Sequence, residues 1–101
     1  MADTKLKDPL ERSIVLHDRT WFGHILTVHP EMAEVRPLVE QAVRKPFEIR
    51  YSRSDEACRI YFGFGDQPTA IIMVVADVTL SLVKTAHFAK RVSGGAMEWS
   101  R

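Results

Sequence analysis

The residues best suited to chemistry in this chain are its four histidines, His17, His24, His29 and His87. An imidazole gives or takes a proton near neutral pH, so two of them are the usual minimum for metal-free phosphodiester chemistry. His24 and His29 do not form a zinc pair. That motif needs histidines four apart on one helix with a glutamate between them, whereas these are five apart and Pro30 follows the second. Cys58 is the single cysteine, which leaves no thiolate zinc framework and no internal disulfide. Gly63-Phe64-Gly65 lacks the lysine and hydroxyl partners of a phosphate loop. The expectation is therefore no metal and no cofactor. Singly, each histidine has a plainer role. His29 can cap the helix that Pro30 opens, His24 can satisfy a backbone carbonyl at a core boundary, and His87 can be a strand residue facing water. Together, the two on the helical half and His87 on the last long strand can converge on one cleft. Thr85 shares the face of His87 through the two-residue strand period.

The elements that must position these groups follow from periodicity. Trp21, Ile25 and Val28 recur at helical spacing, and the helix must stop at His29 because a residue before proline is pushed out of the α region. Pro30 suits the start of a new turn, and Met32, Val35, Leu38, Val39, Ala42 and Val43 make an apolar face leading into a main helix over 37–44. The period then changes to two. Strands are expected over 47–51, 58–64, 70–76 and 82–89, the third apolar throughout as a central strand should be. Ile14-Val15-Leu16 reads as either a short edge strand or a staple onto the core. Residues 1–12, charged and broken by Pro9, read as a loosely held arm, with one domain over 13–101. The resulting fold class is α+β, with short N-terminal helices on one face of a roughly four-stranded antiparallel sheet.

With 101 residues, 46% hydrophobic and 27% charged, the composition suits one globular domain. A net charge of +1 does not advertise a nucleic-acid partner, although Lys84, Lys90, Arg91 and Arg101 face only Glu98 over the last stretch. The first residues lack the apolar core of a signal peptide, and the apolar run 70–76 is too short to span a bilayer. A cytoplasmic protein without membrane contact is expected.

Two stretches resemble a known family. Trp21-Phe22-Gly23-His24-Ile25-Leu26-Thr27-Val28-His29-Pro30-Glu31 is similar to the W-x-x-H-I-x-x-x-H-P-E segment of small phage-associated nuclease-like domains, in the group related to barnase, EndoU, colicin-type tRNases and RelE (the BECR fold). Val83-Lys84-Thr85-Ala86-His87-Phe88 resembles that group's late V-x-T-A-Y strand, with His87 where tyrosine is commoner. The likeness covers about residues 13–99. It implies a metal-independent endoribonuclease of toxin or phage type, in which a ribose 2′-hydroxyl attacks the adjacent phosphate. His24, His29 and His87 would supply base and acid and Thr85 would donate to the phosphate. Lys84, Lys90, Arg91, Arg50 and Tyr61 would contact phosphate or RNA. The implied partners are RNA, such as tRNA or mRNA, and an antitoxin or immunity protein. The alternative is a non-catalytic domain of the same fold that binds nucleic acid or protein.

Overall fold

The computed structural model describes residues 3–101. In chain order it contains β1 (Thr4–Lys7), β2 (Ser13–Leu16), and a helical stretch made of α1 (Asp18–Thr20), a π turn (Trp21–Ile25) and α2 (Leu26–Val28). A 3-10 turn (Pro30–Glu34) and α3 (Arg36–Arg44) follow. The chain then forms β3 (Glu48–Tyr51), β4 (Cys58–Phe64), β5 (Ile71–Asp77), β6 (Leu82–Ala89) and β7 (Met97–Ser100).

The four-stranded antiparallel architecture expected from the sequence is incorrect. Seven strands form one mixed, curled half-barrel in the order β1-β2-β6-β5-β4-β3-β7, and the one helix longer than a turn or so is short. β3 to β6 are the expected meander, but β2 joins β6 in parallel through Val15 and Leu82, and β7 adds to β3. Residues 4–7, read as part of a loose arm, instead pair with β2 from Thr4↔Leu16 to Lys7↔Ser13. Met1 and Ala2 of that arm lie outside the described residues. The two unforeseen edge strands, β1 and β7, are each four residues long, too short for periodicity to register. β2 is the short strand that Ile14-Val15-Leu16 offered, placed inside the sheet and not at its edge. In β1, Lys5 and Lys7 point to solvent and Leu6 inward, an arrangement that also protects an edge from further pairing.

One face of the sheet carries Ile49, Tyr61, Ile72, Val74, Ala76, Val83 and Ala86 into a core shared with Val39, Ala42 and Val43 of α3. Gly63 lets the helix approach: a Cβ there would lie 2.6 Å from the Ala42 Cβ and 2.8 Å from its Cα. Trp21, Ile25 and Met32 enter the same core from the helical stretch and the 3-10 turn. Val28, expected on the stripe with Trp21 and Ile25, is exposed. Each residue of a π turn advances less than one of an α-helix, so the stripe is rotated off the core by roughly a quarter turn.

The opposite face is built from two cross-strand rows, Glu48–Phe62–Met73–His87 and Arg50–Ile60–Val75–Thr85. The connection 90–96 leaves β6 and rejoins the sheet beyond β3, so it must cross this face. Gly94, at φ 107°, lies on it where a Cβ would meet Ile60 Cδ1 at 2.8 Å.

The half-barrel is closed by side chains. Arg12, after the β1–β2 turn, donates Nε to Asp8 at 2.7 Å and Nη2 and Nη1 to Glu98 of β7 at 2.7 and 3.1 Å, joining opposite edges of the sheet. Arg59 donates to Glu98 at 2.8 Å, and the Tyr61 hydroxyl donates to Asp8 at 2.6 Å. Two further N–H groups, of Leu10 and Arg12, donate to Asp8, so its buried carboxylate is fully partnered. Among the described residues no helix is long and apolar enough to cross a membrane.

Candidate proton-transfer site

A bulge in β6 at Lys84, opposite Val75/Ala76 of β5, decides where the β6 side chains point. Ala76 faces Val83 and Val75 faces Thr85, so Lys84 is left without a cross-strand partner. Beyond the bulge, Ala86 and Phe88 face the core while Thr85 and His87 share the other face. β6 touches β2 only at Leu82, so most of its outer edge has no strand neighbour. The π turn and the 3-10 turn pack there instead.

That packing delivers His29. Pro30 excludes helical backbone at His29, which adopts φ −129° and ψ 70° between α2 and the 3-10 turn. Its ring lies with its centroid 5.1 Å from that of His87, the planes inclined by 37°. The His87 Nδ1 lies 2.8 Å from the Phe88 carbonyl. A carbonyl only accepts, so this contact assigns the proton to Nδ1 and leaves Nε2 as the free nitrogen. The His29 Nδ1 faces the Glu31 carboxylate at 3.6 Å, a separation that orients the ring electrostatically without a hydrogen bond. His29 keeps 28% of its side chain exposed, so solvent and ligands reach the pair. Two imidazoles in this arrangement can accept one proton and donate another within a single step.

The other sequence-derived candidates are dispersed. Thr85 is half-buried on the His87 face. Lys84, Lys90 and Arg91 are exposed and, among the described residues, enter no ion pair. Arg50 lies on the same sheet face but is engaged by Glu48 and by the Gly95 carbonyl. His24 is exposed on the π turn, with no ring contact or hydrogen bond to His29 or His87. Tyr61 cannot contact RNA, because it is 0% exposed on the core face and its hydroxyl is committed to Asp8. Burial first, and the Asp8 hydrogen bond second, hold that phenol protonated far above the usual tyrosine range.

Sequence reasoning missed Glu31, whose spacing from His29 was visible but whose orientation was not. It also missed the contact of His17 Nδ1 with Asp3 at 2.8 Å. The Asp3 carboxyl is lowered from its ordinary value chiefly by the Asp18 N–H, then by His17. These two line a cavity of about 410 Å³ with Arg19, Thr20 and Leu82. A shallower depression of about 680 Å³ lies beside Trp21, Phe22 and Arg36. One group of potential metal ligands, Asp55, Cys58 and Asp77, has its ligand atoms within 4.8 Å of one another. Its carboxylates already accept turn N–H groups, from Ala57 and from Thr79 and Leu80. Burial pushes the Cys58 thiol up, away from the reactive thiolate.

Compared with models of known families, with curated proteins and with solved structures, the chain matches none of them.

Proposed function

We propose that this protein is a metal-independent ribonuclease in which His29 and His87 move the protons. The observation that carries the reading is the 5.1 Å approach of two imidazoles from opposite halves of the chain, each with Nδ1 turned to an oxygen. RNA is the fitting substrate because it brings its own nucleophile. A neutral imidazole takes the 2′-hydroxyl proton as the 2′-oxygen bonds to phosphorus. The protonated imidazole gives its proton to the leaving 5′-oxygen as that bond breaks, leaving a 2′,3′-cyclic phosphate. Thr85 would donate to a non-bridging oxygen, and Lys84, Lys90 and Arg91 would offset the charge that develops there. The setting proposed is cytoplasmic, on tRNA or mRNA, with a neutralising antitoxin or immunity protein as partner.

The test is incubation with total RNA in EDTA beside His29→Ala, His87→Ala and His24→Ala. Loss of roughly 10²-fold or more is expected in the first two, and near-parent cleavage in the third. No cleavage by the parent, or no change in either of the first two, overturns the proposal. One observation favours a second reading, a non-catalytic domain that binds RNA or protein: neither His29 nor His87 lines the cavity at Asp3 and His17, the depression at Trp21 and Phe22, or the cleft at Gly63 and Phe64. RNA retained without cleavage in the same assay would select it.

A further inference from the structure

Phe64, the last residue of β4, leaves 64% of its surface in solvent. The ring is nevertheless held in place, with Phe47 at 5.1 Å and the Arg101 guanidinium at 5.9 Å. Beside it a cleft of about 170 Å³ lies between the end of α3 and the end of β4, lined by Gln41, Lys45, Gly63, Phe64 and Arg101 among others. Arg101 is fixed there by donating to the carbonyls of Lys45 at 2.8 Å and Pro46 at 3.2 Å. Among the described residues, neither Lys45 nor Arg101 is paired with a carboxylate, and Asp66 in the next turn does not line the cleft.

We infer that this cleft is a nucleotide subsite for single-stranded RNA. A base stacks on Phe64, Gln41 offers its amide donor and acceptor to the base edge, and Lys45 and Arg101 meet the flanking phosphates. Aromatic platforms of this kind bind unpaired bases because every base has a π face, and the cleft is too small for a duplex. The inference rests on the RNA reading above and adds to it where the strand lies. Phe64 pairs through Ile71 with Ala89, two residues beyond His87 on the same face. Two strand spacings and one side-chain repeat place it roughly 12 Å from His87, within reach of a few linked nucleotides. Lys90 and Arg91 follow Ala89 at this same end of β6 and are exposed.

The experiment is fluorescence anisotropy with a 2′-O-methyl RNA decamer, which has no free 2′-hydroxyl and so cannot be cleaved by this route. Phe64→Ala should weaken binding about 10-fold and Phe64→Trp should retain it. Lys45→Ala should weaken binding and lower the salt slope by about one. No binding by the parent, equal binding of a duplex, or unchanged binding by a normally melting Phe64→Ala protein overturns the inference. The two proposals fail separately. Cleavage with Phe64-independent binding removes the subsite alone, and Phe64-dependent binding without cleavage removes the nuclease alone.

Discussion

The Tyr61 hydroxyl donates to the Asp8 carboxylate across 2.6 Å, tying the centre of the sheet to the turn of its first hairpin. Tyr61→Phe removes one of four donors to a buried carboxylate and should cost about 1–2 kcal/mol, read from urea unfolding at neutral pH. The phenol has a folded pKa raised above its unfolded one. Its contribution is therefore complete below the ordinary tyrosine range and is lost as pH rises from that range through the higher folded value. Tyrosinate absorbance should show that one of the two tyrosines ionises only together with unfolding.

Acid should weaken the closure of the half-barrel. Burial by itself raises the Glu98 carboxyl, but hydrogen bonds from Arg12 and then Arg59 outweigh it and hold the group below the usual range. A depressed folded value contributes stability above the unfolded pKa of about 4.3, lost as pH falls through the folded value. The urea midpoint should drop in that window, and Glu98→Gln should flatten the decline. Arg12→Ala strips partners from two largely buried carboxylates at once and should cost about 3 kcal/mol or more at neutral pH.

Gly63→Ala tests the seating of α3. The new methyl would meet the Ala42 Cβ at 2.6 Å and its Cα at 2.8 Å, the second being backbone that cannot rotate away. A loss of about 1–3 kcal/mol is expected. Ala42→Gly in the same chain should recover part of it, so that the two changes are less than additive in thermal or urea unfolding.

The His29–His87 mechanism carries its own pH signature. A step needing one neutral and one protonated imidazole gives a bell-shaped profile of kcat/KM. Either alanine variant should lose one limb of the bell in whatever activity remains. Glu31→Gln, which removes the carboxylate charge 3.6 Å from His29 Nδ1 that orients the ring, should lower kcat/KM and leave the fold's stability almost unchanged.

The candidate site was legible in part. The spacing of Thr85 and His87 placed them on one strand face, and Pro30 marked His29 as non-helical. Nothing local showed that His29, rather than His24, would meet His87. That depended on β6 having no strand partner along most of its outer edge, where the helical stretch packs. Tyr61 was misjudged for a related reason. Cys58, Ile60, Phe62 and Phe64 carried the visible alternation, yet Tyr61 is the side chain buried against α3, because both faces of β4 are covered near its middle.

By itself, the amino-acid pattern determined the meander of β3 to β6, the break at Pro30, and the amphipathic face of α3. Each of these follows from period, backbone restriction or burial within a dozen residues. The tertiary structure decided the seven-strand order, the parallel β2–β6 contact and the side-chain closure through Arg12 and Glu98. It also decided the meeting of His29 with His87. These relationships join residues far apart in the chain, and each exists only because another element has already taken its place. A four-residue edge strand has too few side chains to declare itself, and acquires its register from the partner beside it.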